Sequence, residues 1–445
     1  MKPALTRMRV AVIGAGWAGL ACAVRLVEAG AAVQVFEAAR VPGGRARTVH
    51  GRLGAVDNGQ HVLIGPYRQT FDLMQTLGVR REAVLRRLPL SLHHPGGLQM
   101  TVPAWPFGLG GLAAVITARG LDFRARLALL RLAPAARQMA NSHTPDCVAL
   151  DWLRRTGQPD ALVEALWAPL CVAALNTDVH EASARVLARV LVDGLFAAGR
   201  DAGLELPCVP LGEVLAEPAV DWLRSHGADV HYGARVHALQ PADGAWQLAL
   251  GTAASESLTS EAPIVYPGAR FDAVVIATAP QHVTALLRTG AAAGAPSGES
   301  ESVCSALDAF EYRPITTVHV RYPQALQLEP PMHMLDGNPG EWLFDHGEGR
   351  LSVVTSARQD AQADAVVRQL AQRFPHWPPA LASQLICEKR ATFACTPDLV
   401  RPGHATGLPG VWLAGDYTAG PYPATLEGAV RSGVECARRI AAAAA

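Results

Sequence analysis

Residues 9–37 read RVAVIGAGWAGLACAVRLVEAGAAVQVFE, and this stretch decides the fold class. Val10–Ile13 is a short, mostly β-branched run, which predicts a buried strand. A glycine-rich turn follows, and a helix is predicted from Ala18 to Glu28. A second apolar run at Val33–Phe36 ends in Glu37. The stretch therefore predicts a strand, a turn, a helix and a second strand that ends in a carboxylate.

The three glycines of this turn have the GxGxxG spacing that suits a bound dinucleotide. Gly14 permits the tight turn, Gly16 lets the backbone approach a pyrophosphate, and Gly19 lets the helix pack against the strand. The helix N-terminus offers free N–H groups and a partial positive charge to the phosphates. Glu37 lies eighteen residues after Gly19 (37 − 19), where it can accept hydrogen bonds from the ribose hydroxyls. The stretch predicts a dinucleotide site rather than a plain structural turn.

Length and composition narrow the classes of protein that this chain can be. Its 445 residues are enough for two or three domains, and half of them are hydrophobic. The formal net charge is zero, which gives no support for a basic nucleic-acid-binding surface. The eight cysteines include no CxxC pair, so no metal site is predicted. Scattered cysteines in a long chain fit a reducing cytoplasm better than a disulfide framework.

Two polar segments after Glu37 are candidates for the same site. The loop Gly43–Arg45 ends in a cation, which can pair with a bound phosphate or with acids lining the site, or can be solvated. The segment Asp57–His61 reads DNGQH and holds more polar groups than a simple turn needs. These groups either line a cofactor or form a hydrogen-bonded corner.

A second signal lies near the end of the sequence. Val411–Ala414 predicts a strand that leads into Gly415 and Asp416, and a turn and a helix follow. Asp416 can bond a polyol chain or a pyrophosphate, and the N–H groups near Thr425–Glu427 can face a ring that gains charge on reduction. Taken alone, the pattern fits a plain strand–turn–helix equally well.

Residues 86–204 differ from the rest of the chain, most clearly in two neighbouring stretches. Thr101–Ala118 contains no charge but is interrupted by prolines and glycines, so it does not predict a spanning helix. It predicts either a helix in the domain core or a membrane-facing cap. Leu121–Met139 has helical spacing with many arginines and predicts an amphipathic helix, whose basic face is either solvated or laid on anionic lipid.

The 9–37 motif, the Gly43–Arg45 loop and the Gly415-Asp416 strand with its helix together resemble the FAD-dependent amine oxidase and phytoene desaturase superfamily. The resemblance implies an α/β fold, with a discontinuous Rossmann-type FAD-binding domain and an α+β substrate domain. The FAD-binding domain would occupy residues 1–85, 205–287 and 386–445, and the substrate domain residues 86–204 and 288–385.

Within this superfamily the chain is similar to the hydroxysqualene dehydroxylases of bacterial squalene and hopanoid synthesis. The similarity runs along nearly the whole chain and is carried by DNGQHVLIGPY (57–67), ALNTDVHEAS (174–183), EWLFD (341–345), TFACTPDLVRPG (392–403) and LAGDYTAGPYPATLEGAVRSG (413–433). It implies that reduced FAD gives a hydride to an allylic carbon while the hydroxyl leaves as water. This reaction needs a general acid and an apolar tunnel. His61 and Asp57 are the candidate acids, and each also has a purely structural interpretation.

The resemblance also implies the cofactor contacts and the partners. The strand that holds Val236 would supply backbone contacts to adenine, and Cys436, the nearest cysteine after Asp416, falls inside the final helix, which favours non-covalent FAD. The expected partners are an apolar C30 isoprenoid and upstream squalene-pathway enzymes, in a cytoplasmic protein with peripheral contact to the inner membrane. The residues expected to contact FAD are Gly14, Ala15, Gly16, Trp17, Ala18, Gly19, Glu37, Ala38, Gly44, Arg45, Asn58, Gly59, Val236, Gly415, Asp416, Ala424, Thr425 and Leu426.

Three other functions use the same fold. A carotenoid or apocarotenoid desaturase or isomerase would place a polyene in the tunnel. A flavin amine oxidase would need aromatic residues around an amine, and only Trp412, Tyr417 and Tyr422 are close to the second motif in sequence. A non-catalytic lipid carrier would lack a working flavin site, which the intact glycine motif with Glu37 argues against.

Overall fold

The computed structural model describes residues 8–103, 105, 109–141, 145–196, 203–251, 264–265, 269–292, 298–335 and 341–444. The strands are β1 Arg9–Ile13, β2 Ala32–Glu37, β3 Thr48–Gly51, β4 Gly54–Asp57, β5 Leu63–Ile64, β6 Leu85–Leu88, β7 Leu90–His93, β8 Gln99–Val102, β9 Leu204–Pro207, β10 Asp229–Tyr232, β11 Arg235–Ala242, β12 Ala245–Gly251, β13 Ile264–Val265, β14 Ala273–Ile276, β15 Tyr312–Arg321, β16 Met332–Met334, β17 Glu341–Asp345, β18 Arg350–Ser356, β19 Ala382–Phe393 and β20 Val411–Leu413.

The α-helices lie mainly in the first half of the chain and at its end. Two short π-helical turns, Val163–Trp167 and Gly212–Ala216, run directly into helices. The α-helices are α1 Trp17–Glu28, α2 Arg68–Thr76, α3 Arg81–Val84, α4 Leu109–Thr117, α5 Phe123–Asn141, α6 Ala149–Arg155, α7 Asp160–Leu162, α8 Ala168–Leu175, α9 Ala184–Asp193, α10 Glu217–Ser225, α11 Pro280–Ala292, α12 Gly298–Asp308, α13 Ala363–Arg373 and α14 Leu426–Ala443.

A five-stranded parallel sheet positions the site, in the order β10-β2-β1-β14-β20. Its central strands are continuous apolar runs because helices cover both faces of the sheet. Val12 pairs with Val35 on one side and with Val275 on the other, and all three side chains are buried. Helices α1 and α14 cross closely at Gly433, where an added Cβ would lie 2.9 Å from the backbone nitrogen of Cys22.

The parallel sheet draws its strands from three separated parts of the chain: β1 and β2, then β10 and β14, and finally β20. We propose that these parts form one discontinuous FAD-binding domain, as the sequence suggests. The predicted boundary at residues 385–386 is wrong, however, because β19 runs unbroken through it as part of a second sheet. We therefore propose that the last part begins after Phe393.

The second sheet is antiparallel and has the order β16-β17-β18-β15-β19. Strand β18 pairs along its whole length with residues 315–321 of β15, and the alternate side chains of the two strands face two different environments. Val318 and Val353 pack into a small cluster of their own, whereas Ile315 and Val354 face a large cavity. This sheet forms one wall of that cavity.

Helices α4–α9 and the β7–β8 hairpin form a cap over the same cavity. Leu129, Leu132 and Trp167 fill its interior. The uncharged stretch predicted as a core helix or a membrane-facing cap contains α4, and α4 lies at the surface with Leu112 and Ile116 exposed. Residues 104 and 106–108 of that stretch lie outside the described residues. Among the helices that the structure describes, none combines the length and apolar character needed to cross a bilayer.

Candidate active site

A single cavity of about 1030 Å³ lies between the parallel sheet, the antiparallel sheet and the helical cap. Sixteen of the eighteen residues predicted to contact FAD line it, and two do not. Ala15 lies just behind the wall, where its N–H donates to Glu37, and Gly19 packs against Ala277. The sixteen are Gly14, Gly16, Trp17, Ala18, Glu37, Ala38, Gly44, Arg45, Asn58, Gly59, Val236, Gly415, Asp416, Ala424, Thr425 and Leu426.

The glycine turn forms one end of the cavity, and its glycines have different tasks. Gly14 has φ +107°, and its N–H donates to the carbonyl of Phe36 at 2.8 Å. An added Cβ at Gly14 would lie 2.7 Å from the carbonyl oxygen of Ala277, so Gly14 is required by the fold. At Gly16 the nearest protein atom to an added Cβ is Cα of Gly44, at 3.9 Å. The open side of Gly16 therefore faces the cavity, as a phosphate cradle requires.

Glu37 connects the end of β2 to this turn. One carboxylate oxygen accepts a hydrogen bond from the N–H of Ala15 and the other accepts one from the N–H of Ala39, both at 2.7 Å. Each oxygen retains further lone pairs, because a carboxylate can accept about four hydrogen bonds. Glu37 therefore holds the turn and also presents an acceptor to the cavity.

An ion pair between Arg45 and Asp416 joins the beginning and end of the chain beside the cavity. The guanidinium nitrogen and the carboxylate oxygen are 2.6 Å apart, and Arg45 also donates to the carbonyl of Ala391 at 2.6 Å. The sequence left open whether Arg45 pairs with a phosphate or with an acid lining the site, or is solvated. In the structure Arg45 pairs with an acid, Asp416. Arg401 donates to the backbone carbonyl of Asp416 at 2.7 Å and fixes that end of the pair.

The N-terminus of α14 points at the cavity. Thr425 caps the helix by accepting from the N–H of Gly428 at 3.0 Å, and Ala424, Thr425 and Leu426 line the wall. The fully buried carboxylate of Glu427 accepts from the N–H and hydroxyl of Thr70 at 3.0 and 2.8 Å, so it ties α14 to the start of α2. The helix presents its partial positive charge to the cavity from a fixed position.

Four buried polar atoms in the cavity wall have no hydrogen-bond partner among the described residues. They are Nε1 of Trp17, Oγ1 of Thr278, the hydroxyl of Tyr417 and, on the antiparallel sheet, Nε1 of Trp342. Burying such groups without partners costs about 1–3 kcal/mol each. Together with the open cradle at Gly16, they fit a bound polar group such as the phosphates and flavin ring of FAD.

The two predicted acids lie in different surroundings. Asp57 does not line the cavity, since its carboxylate accepts from the N–H of Leu211 at 2.9 Å and from the hydroxyl of Thr48 at 3.0 Å. His61 lines the cavity, and burial lowers its pKa to about 4, so the ring is neutral near pH 7. Its Nδ1 lies 3.1 Å from the carbonyl oxygen of Gly59, which can only accept, so Nδ1 carries the proton. The second ring nitrogen of His61, Nε2, is therefore a hydrogen-bond acceptor. Of the two interpretations of Asp57, as an acid or as a structural residue, its contacts favour the structural one.

The sequence interpretation missed a polar pair in the cavity wall, Asp193 and Tyr422. The hydroxyl of Tyr422 donates to the carboxylate of Asp193 at 2.8 Å, and a guanidinium nitrogen of Arg189 lies 3.6 Å from the other oxygen. Burial and the charge of Asp193 raise the pKa of Tyr422, which keeps its proton. Tyr422 lies two residues before Ala424, so the pair is beside the end of the cavity formed by α14.

The cap and the antiparallel sheet contribute most of the apolar part of the wall, where polar residues such as Asn176, Ser356 and Thr392 also occur. No cysteine is among the described residues that line the cavity. Ligand cavities in proteins commonly measure about 300–1,000 Å³, so this cavity is at the upper end of the range. The apolar side chains of this part are Leu90, Leu92, Leu170, Leu187, Val190, Leu191, Leu195, Ile315, Met332, Trp342, Phe344 and Val354.

Comparison with known proteins gives relatives that match nearly the whole chain. Hydroxysqualene dehydroxylase of Rhodopseudomonas palustris is 33% identical over 98% of this chain and 98% of its own length. Hydroxysqualene dehydroxylase of Sinorhizobium fredii is 30% identical over 95% of this chain and 96% of its own length. Zeta-carotene desaturase of Synechocystis is 26% identical over 98% and 97%, respectively.

The fold comparison agrees with the sequence comparison. The structure of a wild-type putrescine oxidase bound to putrescine superposes with a TM-score of 0.69 at 15% identity and covers 98% of this chain and 99% of that one. At this identity the likeness shows the fold alone. The sequence profile described as flavin containing amine oxidoreductase matches residues 17–441. The chain therefore belongs to the flavin-containing amine oxidoreductase family.

Proposed function

We propose that this protein catalyses the FAD-dependent reductive removal of a hydroxyl group from hydroxysqualene, giving squalene. The observation that carries the proposal is that one cavity combines a dinucleotide cradle with a long apolar wall. The full-length similarity to hydroxysqualene dehydroxylases supports the choice of substrate.

FAD binds without a covalent bond in this proposal. Glu37 accepts from the ribose, and Gly16 with the start of α1 receives the pyrophosphate. The backbone of β11 at Val236 would hold the adenine, and the N-terminus of α14 would stabilise negative charge on the reduced flavin. The described residues of the cavity wall include no cysteine, which argues against a covalent bond between a cysteine and the flavin. Trp17, Thr278 and Tyr417 gain their missing hydrogen-bond partners when FAD binds.

The reaction consumes a hydride and a proton and releases water. Reduced FAD, when bound, supplies the hydride. Tyr422 and Asp193 meet the substrate hydroxyl, because they are a hydrogen-bonded polar pair in the cavity wall beside the aliphatic side chains of Leu187 and Leu191. When the substrate binds, the Tyr422 hydroxyl turns from Asp193 to the departing oxygen and transfers its proton to it, so that the oxygen leaves as water. The tyrosine then recovers a proton from solvent, and Asp193 and Arg189 hold this part of the wall in place. His61, which presents an acceptor at neutral pH, and Asp57, which does not line the cavity, are less suited to this task.

The cap and the antiparallel sheet hold the isoprenoid chain. Their aliphatic and aromatic side chains exclude water from the carbon that receives the hydride. Wall residues such as Leu90, Leu187 and Phe344 come from three different elements, so the chain is enclosed from several sides.

The proposal places the protein in the cytoplasm, in peripheral contact with the inner membrane that dissolves its substrate. All eight cysteines are free thiols in the structure, as expected of a reducing compartment. The upstream enzymes of squalene synthesis are the expected suppliers of the substrate, since a C30 alcohol partitions poorly into water.

A carotenoid desaturase is the second candidate function. It is favoured by the full-length similarity to zeta-carotene desaturase, which is lower than that to the dehydroxylases. Desaturation removes hydrogen and needs no proton donor for a leaving oxygen. The Asp193–Tyr422 pair therefore favours the dehydroxylase.

A substrate panel tests the proposal. The FAD-reconstituted protein is given hydroxysqualene with dithionite, or zeta-carotene or putrescine with an electron acceptor, and the products are identified by mass spectrometry. Squalene from hydroxysqualene supports the proposal. A desaturated carotenoid or an oxidised amine, without squalene, contradicts it and identifies the alternative.

A further inference from the structure

Exposed large apolar side chains are concentrated on one part of the surface. Outside it, the exposed large apolar residues of the described chain are Val41, Leu381, Leu385 and Val400. Seven others fall between residues 105 and 130, on α4, on α5 and just before them. These seven, which we call the docking face, are Trp105, Leu109, Leu112, Ile116, Phe123, Leu127 and Leu130.

The docking face follows one side of each helix. On α4 the exposed residues are at i, i+3 and i+7, and on α5 they are at i, i+4 and i+7, so each set shares a face. The opposite face of α5 carries Ala125, Leu129 and Leu132, which are buried in the core. Helix α5 therefore has two apolar sides, of which the protein covers one.

The corner between α4 and α5 is held by hydrogen bonds. Arg126 donates to the carbonyl oxygens of Ile116 at 2.7 Å and Ala118 at 2.6 Å, which satisfies groups that the end of α4 leaves open. Asp122 accepts from the N–H of Ala125 at 2.7 Å and so caps α5. These bonds fix the backbone on both sides of Phe123, whose side chain is 79% exposed.

The charge around the docking face is positive. Arg119, Arg124, Arg131 and Arg137 are exposed around it. Asp122 is the one acidic residue between Glu82 and Asp146 in the sequence, and its carboxylate is engaged as a helix cap. An apolar stripe flanked by arginines matches the interface of an anionic bilayer, where the stripe enters the acyl boundary and the arginines meet the headgroups.

The docking face is continuous with the wall of the cavity. The covered side of α5 packs against α9, whose Leu187 and Leu191 line the cavity. The β7–β8 hairpin contributes Leu92 to the wall, and Gln99 of the same hairpin exchanges two backbone hydrogen bonds with Arg119 at 2.8 and 3.1 Å. The helices of the docking face therefore contact elements that form the cavity wall.

We propose that α4 and α5 dock the protein onto an anionic lipid bilayer, with Ile116 and Phe123 inserted and the arginines on the headgroups. The reason for docking rests on the proposed function, since docking would bring the cavity to a substrate dissolved in the membrane. The binding to lipid itself is argued from the surface alone. A second copy of the chain fits the charge less well, because two positive faces would meet.

Vesicle flotation with the FAD-reconstituted full chain tests the proposal. The probes are vesicles of phosphatidylcholine alone and of phosphatidylcholine with phosphatidylglycerol. The variants are Ile116→Ser with Phe123→Ser, and Arg124→Gln with Arg131→Gln. The matched control is Leu381→Ser with Val400→Ser, which removes equally exposed apolar side chains elsewhere.

We expect the native protein to float with phosphatidylglycerol vesicles, and less so at high salt. The serine variant should lower the partition coefficient at least about tenfold, because it removes the inserted side chains. The glutamine variant should weaken binding only to anionic vesicles, and the control should bind like the native protein. Each variant should keep its thermal melting temperature and its FAD content.

Three results would overturn the proposal. One is native protein that fails to float with anionic vesicles, and another is a serine variant that floats as well as the control. The third is a change of mass in solution, without vesicles, from dimer to monomer in the serine variant, which would assign the face to a second copy. None of these readouts requires turnover, so they are independent of whether hydroxysqualene is the substrate.

Discussion

Replacing Gly16 by alanine should remove most of the affinity for FAD while the apoprotein stays folded. Gly16 has φ −74° and ψ 173°, which is extended backbone that alanine adopts without strain. The nearest protein atom to the new methyl group would be 3.9 Å away, so the fold accommodates it. The methyl group would project into the cavity where the pyrophosphate must approach.

The expected loss of FAD affinity follows from the hydrogen bonds that the pyrophosphate makes when it approaches Gly16 closely. Loss of one charge-assisted hydrogen bond from the helix N-terminus to a phosphate costs about 1.5–3 kcal/mol. This energy corresponds to an increase of about 10- to 150-fold in the dissociation constant of FAD. The apoprotein itself should be unchanged or more stable by about 0.4–1 kcal/mol, because alanine restricts the unfolded chain.

Titration of the apoprotein with FAD, followed by flavin fluorescence, measures the first quantity, and thermal unfolding of the apoprotein measures the second. Gly14→Ala is the matched control. Its φ of +107° and its clash with the carbonyl of Ala277 predict a loss of folding stability rather than a selective loss of FAD. A folded Gly16→Ala protein that binds FAD as tightly as the native protein would refute the reasoning, and so would an unfolded one.

Three further predictions concern the cavity. Glu37→Ala should lower retained FAD on gel filtration, because it removes the proposed ribose acceptor and frees the N–H of Ala15; native FAD content would contradict this role. Tyr422→Phe and Asp193→Asn should lower kcat about 10²-fold or more with little change in FAD content, consistent with loss of a proton donor, and undiminished kcat in both would remove the pair from the chemistry. Burial lowers the pKa of His61 to about 4 from 6.5, so the unfolded chain takes up a proton that the folded chain resists, and stability falls as the pH drops from 6.5 towards 4. His61→Gln should therefore reduce the decrease in Tm of the apoprotein over that range, and an unchanged pH dependence would contradict the assignment.

The sequence predicted the parts of the structure whose causes are local. The β1–α1–β2 stretch follows from a buried strand pattern, a glycine turn and a helix within 29 residues (37 − 9 + 1). The final strand and helix were predicted for the same reason, as α14 begins where Thr425 caps it. The resemblance to a known superfamily then placed Val236, Gly415 and Asp416 in the same site, as the cavity wall has them.

The missed features depend on contacts between distant parts of the chain. Asp193 and Tyr422 are 229 residues apart, and nothing in the sequence around either residue indicates the other. Asp57 was a candidate acid because its neighbours are polar, but the N–H of Leu211 binds its carboxylate. The predicted domain boundary at residues 385–386 falls inside β19. This edge strand is half exposed and its apolar residues alternate only weakly, so the sequence does not show where it begins and ends. The sequence could not decide whether α4 is buried or exposed, because apolar composition alone does not show which face of a helix the protein covers.

An anaerobic single turnover tests the central claim most directly. The FAD-reconstituted protein is reduced with dithionite, hydroxysqualene is added, and the flavin absorbance and the extracted lipids are measured together. The account predicts that the flavin is reoxidised and that squalene appears in an equal amount. A flavin that stays reduced in the presence of hydroxysqualene, with no squalene formed, would contradict it.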